Sequence, residues 1–386
     1  MSIRWSLLSS LKVVARSSHC ATITPAGQLL LYSGELTPRV PVKGSVHVLD
    51  LGTNNASWRV LSAVPAAALS DVPQPRVGAS AVFDPKENSL YVWGGRGGVD
   101  MAPLDRLQSG IWKAHIGDAN LQSDGNLSWE RVPCANEGGQ EAPAPRSYHA
   151  SVLAGGKLYI HAGCPACGRL AALHAFNFTS NKWEQCADAP NEPRGGTAIA
   201  AVTLPSTSTA HEEVIIRFGG FAGYELPKLD DTDALPPLDI YIPSTNSWTI
   251  VHPAADSAHK FPGPRSVHGL VPFTIPASAA SSLGGTKVPI ALLYYGERDA
   301  SALGHAGAGK FWDDVWLLLA SPSANPASAE LQWKKLEVKG ESPTPRGWFP
   351  PASYVTSEGK TRVVLTGGLL GTNDRSQEVW VGDVEL

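Results

Sequence analysis

The chain has 386 residues, 43% of them hydrophobic, and carries a formal charge of −4. That balance gives no basic footprint for nucleic acid, and no apolar run reaches the length of a membrane span. The opening MSIRWSLLSSLKVVARSSH lacks the uninterrupted apolar region of a secretion signal, which predicts a cytosolic protein with the nucleus also open to it.

The 38 Gly and 31 Pro, set against 2 Met, predict many short strands joined by turns. Taken in chain order, the strands repeat. An Arg, usually after Pro, opens an apolar run six times: Arg16, Arg76, Arg146, Arg194, Arg265 and Arg346. Each run is followed by a second one ending in Gly-Gly or a degraded form of it, at Gly34, Gly95, Gly163, Gly220, Gly296 and Gly368. A third apolar run comes next (SVHVLD, IWKAHI, LHAFNF, LDIYIP, DVWLLL, EVWVGDV), and a fourth carries Trp58, Trp129, Trp183, Trp248 or Trp333. The sixth unit ends at Leu386 without its tryptophan strand. Trp5, in IRWSLLS, occupies that place before the first Arg, so the N-terminal strand is predicted to close the last unit.

The order Pro-Arg, strand, Gly-Gly, strand, Trp resembles the Kelch repeat. The resemblance runs over nearly all of residues 1–386 and implies an all-β fold: one six-bladed β-propeller domain of four antiparallel strands per blade. In such a blade the repeated Arg and the residues after Gly-Gly share one face around the central channel. Six arginines would then ring one mouth and bias it towards anions. Equally, each guanidinium would cap carbonyls or pair with a carboxylate as part of the framework. Kelch relatives that bind acidic peptides or sulfated small molecules use arginines from such positions, as the resemblance implies.

The loops after the second strands are long and varied: 35–44, 96–110, 164–172, 221–238, 297–313 and 369–377. Binding chemistry collects on such loops. Tyr148, Trp348 and Phe349, beside the repeated arginines, are candidate apolar walls. The loop 221–238 carries Glu225, Asp230, Asp231 and Asp233, read as a solvated acidic rim. The hairpin TIPASAASSLGGTKV emerges at the opposite face and reads as a linker-like loop without a site. His19, His149 and His268 recur three residues after an Arg, a periodicity that points to packing of the first strand. Cys164-Pro165-Ala166-Cys167 is a lone C-x-x-C among five cysteines and reads as loop cysteines without a metal partner set. The Asn55, Asn126 and Asn177 sequons have no use without secretion.

The fifth loop holds the most chemistry. Gly304 to Lys310, GHAGAGK, meets the first seven positions of a phosphate loop, yet Phe311 stands where Ser or Thr must hold magnesium, and a strand follows instead of a helix. The same loop places Glu297, Asp299, Ser301 and His305 together in sequence. This frame is similar to that of the plant specifier proteins, Kelch propellers that steer glucosinolate breakdown. The resemblance implies an iron(II) site on a Glu-x3-Asp-x3-His motif. Here Glu297 and His305 match, Ser301 replaces the Asp, and Asp299 would have to substitute as the third ligand. Without a metal, His305 would carry a proton near neutral pH while Glu297 acts as base or orients the imidazole.

The resulting expectation is a monomeric, lone propeller of lyase, isomerase or cyclase type, acting on an anionic or polar metabolite. Its substrate would be held by the six arginines with Tyr148 and Trp348. An adaptor gripping an acidic peptide at the same mouth is the alternative.

Overall fold

The computed structural model describes the chain apart from residues 10–14, 54–56, 69, 98, 208–211, 229–234, 277–286, 324 and 326–327. Asp230, Asp231, Asp233, most of the 274–288 hairpin and the Asn55 sequon therefore lie outside the described residues. No helix among the described residues is long and apolar enough to cross a membrane.

The strands form successive four-stranded antiparallel arrays. The first contains Cys20–Ile23, Gln28–Tyr32, Val46–Asp50 and Arg59–Pro65. The second contains Ser80–Asp84, Ser89–Trp93, Trp112–His115 and Gly125–Arg131. Blades three, four and five begin at Ala150–Ala154, Ala198–Thr203 and Gly269–Pro272. The last joins Ala352–Val355, Thr361–Thr366 and Val379–Glu385 to Ser2–Ser9, with Trp5 opposite Gly382. The N-terminal strand thus closes the last blade, burying Trp5 against Tyr294 and Tyr295 of the blade before.

Alternating side chains along each strand face opposite neighbours. Leu30 packs towards blade two, with Val92 and Trp129, while Leu29 and Leu31 pack towards the last blade, with Val364 and Val381. Buried apolar clusters of this kind occupy the interfaces between successive blades, the last-to-first interface included. The innermost strands also touch in a closed cycle, the last meeting the first.

Three details depart from the simple repeat, the first being a parallel pairing of Ser2–Ser9 with Glu337–Lys339 that makes the last sheet five-stranded. Trp58 lies just ahead of its strand, which begins at Arg59. The outer strands of blades one and two pair in parallel, Leu61 to Gly125 through Pro65 to Trp129, merging those blades into one eight-stranded sheet. An outer strand offers a row of unpaired N–H and C=O groups, and this pairing covers two such edges at once.

Two rings of backbone hydrogen bonds hold the mouth. In one, the Gly at the end of each second strand donates to the carbonyl of the next blade's repeated Arg: Gly34 to Arg76, Gly95 to Arg146, Gly163 to Arg194, Gly220 to Arg265, Gly296 to Arg346 and Gly368 to Arg16. Degraded Gly-Gly pairs keep their second member because Gly34, Gly163 and Gly296 hold φ of 92–103° close against the first strand. Ser33, Ala162 and Tyr295 take a left-handed φ of 55–60° at the first position. A Cβ on Gly296, by contrast, would stand 2.3 Å from the Cβ of His268. Nearer the axis, Ser18, Gly78, Tyr148, Gly196, Val267 and Trp348 form a closed loop. Each N–H donates to the carbonyl of the member before it at 2.7–3.0 Å, and Ser18 closes the loop on Trp348.

Candidate functional site

The six repeated arginines are buried, none more than 5% exposed. Each donates from Nη1 to a carbonyl at the end of its own blade's second strand: Arg16 to Ser33, Arg76 to Gly94, Arg146 to Ala162, Arg194 to Gly219, Arg265 to Tyr295 and Arg346 to Gly367. In five of them Nε also holds the carbonyl two residues back. Arg265 and Arg346 further pair with Asp314 and Glu378. The guanidinium forks are turned into the blades to satisfy strand-end carbonyls, so the expectation of six arginines presented to a ligand is corrected to its framework alternative.

The recurrent histidines are framework as well. Gly367, Gly94 and Gly219 of the preceding blades approach the rings of His19, His149 and His268, wedging an imidazole into alternate blade interfaces. Burial, and after it the charge of Arg16, Arg146 or Arg265, pushes their pKa values down, His149 to about 3.

The mouth pocket encloses about 160 Å3 and brings together Tyr148, Trp348, Glu297, Ser301 and His305. His305 stacks on Tyr148 with ring centroids 5.6 Å apart and planes 17° from parallel, and meets Trp348 edge-on at 5.2 Å. Tyr148 and Trp348 belong to the axial hydrogen-bonded loop, and both have left-handed φ (53° and 61°). Phe349, the third expected wall, is instead buried in the interface core against Tyr294.

Sequence reasoning missed Arg169. It lines the same pocket, its guanidinium 4.8 Å from the centroid of the Phe221 ring, with no ion pair to a carboxylate among the described residues. Of the other arginines near the mouth, Arg96 donates to Ser147 and lies over Tyr148, Arg375 pairs with Glu35, and Arg39 is exposed without an ion pair among the described residues. The signal for Arg169 was available, a single basic residue in the short blade-three loop.

Two carboxyls are held out of water. Glu297 is 4% exposed, bonded through its backbone to Ser266, and burial raises its pKa to about 7; the Trp348 indole and the Gly309 N–H nearby pull it partly back. Gly309 is required here, since a Cβ there would meet the Asp299 carbonyl at 2.2 Å and the Glu297 carboxylate at 2.4 Å. Glu225 is 8% exposed, so it is a buried group and not part of a solvated rim. Neither of its oxygens has a well-formed hydrogen bond among the described residues. Burial raises it to about 8, the charges of Glu297 and Asp299 adding to the effect and the Ser266 hydroxyl and Arg169 opposing it. His305 moves the other way. Desolvation by its neighbours, then Arg39 and Arg96, lowers its pKa although the residue stays exposed, so the group poised near neutral pH is Glu297.

The three-ligand iron reading does not fit these positions. Asp299 is on the outer surface, paired with Arg298 at 3.1 Å and near Lys310 at 4.0 Å. The Ser301 hydroxyl accepts the Leu303 N–H. No three His, Cys, Asp or Glu side chains converge as metal ligands among the described residues. The phosphate-loop glycines likewise form a turn, and Lys310–Phe311 pairs as a strand with Glu297–Asp299.

A family model for the KLHDC2/KLHL20/DRC7 Kelch-repeats domain matches residues 18–274. The chain belongs to the Kelch-repeat family. Among curated proteins, it is 23% identical over 378 residues to an N-(sulfonatooxy)prop-2-enimidothioate sulfolyase of Thlaspi arvense, covering 95% of this chain and 91% of that one. It is 25% identical over 220 residues to acyl-CoA-binding domain-containing protein 5 of Arabidopsis thaliana, covering 57% of this chain and 30% of that protein. The solved structure of YjhT superposes over 96% of both chains with a TM-score of 0.58 at 14% identity, a likeness of fold alone.

Proposed function

We propose that this Kelch protein is a lyase acting on a small organic anion, an organic sulfate or a close analogue, in the mouth pocket. The observation that carries the reading is Glu297, a buried carboxyl poised near pH 7 on the wall of a pocket whose other walls are Tyr148, Trp348, His305 and Arg169. A carboxyl at that pKa gives or takes a proton at physiological pH with little cost either way. Arg169 presents a planar fork for the anion, and the aromatic rings hold the hydrocarbon part. His305, with its depressed pKa, contributes a neutral ring surface. A volume near 160 Å3 suits a metabolite of few heavy atoms better than a peptide, since pockets for drug-sized ligands run from roughly 300 Å3 upward. The sulfolyase relative, matched over most of both chains, supports elimination of a sulfonatooxy group as the reaction class.

The test is sulfate release from an N-(sulfonatooxy)imidothioate, with product analysis, against the uncatalysed reaction. Acceleration by the wild-type protein is expected. Glu297→Gln should lower kcat by about 100-fold, and Arg169→Gln should raise KM about tenfold with a smaller effect on kcat. The wild-type rate should change with pH around 7, and the Glu297→Gln variant should lose that inflection. No acceleration, or full turnover in Glu297→Gln, would overturn the assignment.

A further inference from the structure

The segment after Glu297 is built as a separate small unit across the pocket. Its stem is a short hairpin, Glu297 paired with Phe311 and Asp299 with Lys310. Its tip is the turn Gly304–Ala306, closed internally by bonds from Gly304 to Ser301 and from Gly307 to Gly304. The pocket lies between this unit and the body: Ala300, Ser301 and His305 contribute from above, and Arg169, Phe221 and Trp348 from the propeller.

The tip is attached lightly. Among the described residues, one hydrogen bond runs from residues 300–308 to another blade, from Asn373 Nδ2 to the Ala306 carbonyl at 3.1 Å. The other attachment is the His305 ring on Tyr148 and Trp348, which belong to blades three and six. No apolar side chain of the tip plugs into the body in compensation: Leu303 is 74% exposed. A Gly at 304 with φ of 56°, another at 307 and a third at 309 leave the backbone free to turn at both ends of the tip.

We infer that residues 300–308 are a lid over the pocket, latched by the stacking of His305 on Tyr148 and Trp348 and by the Asn373 bond to Ala306, and that release of this latch admits the ligand. The residue that resembles a metal ligand in sequence would then act as a latch through its flat ring surface. This concerns access to the pocket whatever the ligand, and its test uses no substrate, so it stands or falls separately from the lyase assignment.

The chain carries its own reporter. Cys164 lines the pocket beneath the lid, whereas Cys167, three residues on, is exposed. Alkylation by N-ethylmaleimide, followed for each cysteine by peptide mass spectrometry, should be slow at Cys164 and fast at Cys167. Burial already raises the Cys164 thiol pKa, so the rate is measured as a function of pH. Opening raises the plateau, whereas a changed thiol environment moves the midpoint. His305→Ala and Asn373→Ala should each raise the Cys164 plateau by about three- to tenfold, as loss of one aromatic or hydrogen-bond contact allows, leaving Cys167 unchanged. His305→Phe keeps a flat ring without imidazole chemistry and should restore the wild-type plateau. Unchanged Cys164 plateaus in both alanine variants, or labelling of His305→Phe as fast as that of His305→Ala, would overturn the inference.

Discussion

The mouth of the propeller contains two regions built on opposite rules. The arginine and glycine ring is repeated, buried and internally satisfied: each guanidinium ends on carbonyls of its own blade and each glycine on the next blade's Arg. The pocket is irregular. Among the described residues it has Arg169 without a carboxylate partner and a lightly attached loop, and Glu225, buried outside its lining, has no well-formed hydrogen bond. A group that recurs in every blade serves the scaffold, while Arg169 and Glu225 occur once and stand outside that pattern.

The largest expected effect tests the scaffold's closure. Deleting residues 1–9 removes the strand paired with Val379–Glu385 and the buried Trp5. Truncating one buried Trp alone costs about 3–5 kcal/mol, so the shortened chain should lose its cooperative melting transition in calorimetry. A wild-type Tm would show that the ring closes without it.

Next comes the arginine ring. Arg146→Met should destabilise by about 3 kcal/mol in urea titration, because it leaves the Ala144 and Ala162 carbonyls unpaired. Sulfate binding to the folded fraction should not change. Loss of anion binding with stability intact would reverse the division drawn between the two regions.

The two regions should also respond to pH with opposite sign. His19, His149 and His268 have lowered folded pKa values. The unfolded chain therefore binds more protons, and the stability these residues allow is present above the unfolded pKa near 6.5 and lost as pH falls below it. Glu225 and Glu297 have raised folded pKa values, about 8 and about 7. Their stability is full below the unfolded carboxylate range and lost as pH rises through those values. Glu225→Gln should accordingly be more stable than wild type by about 1–3 kcal/mol at pH 8.5 and equal to it at pH 4. Denaturant midpoints at both pH values check this. The smallest effect is expected at Asp299, exposed and paired with Arg298. Asp299→Asn should change stability by less than about 0.5 kcal/mol, and a larger loss of function would return it to the site.

The strands were legible because each repeat states its own pattern, and Trp5 could be assigned by the gap it fills. Tyr148, Trp348 and Glu297 stood out by their place beside the repeat's fixed marks and His305 by the specifier-like frame of its loop, and all four line one pocket. The direction of the arginines was not, because sequence places the Cα at the mouth while the fork's five donors turn towards the strand-end carbonyls. Glu225 was read with the acidic residues that follow it, although its immediate neighbours Tyr224 and Leu226 are apolar. The parallel pairing of Arg59–Pro65 with Gly125–Arg131 joins two edges that no local pattern links.

The axial loop of Ser18, Gly78, Tyr148, Gly196, Val267 and Trp348 is uniform in backbone and diverse in side chain. Its members all adopt positive φ and all border the channel beneath the pocket. It therefore works as a hoop facing one axis in which neighbours share the space: a Cβ at Gly78 would meet the Tyr148 ring at 2.7 Å, and one at Gly196 the Val267 side chain at 2.9 Å. A new ligand preference would require refitting such neighbours together, while the hoop that carries them stays as it is.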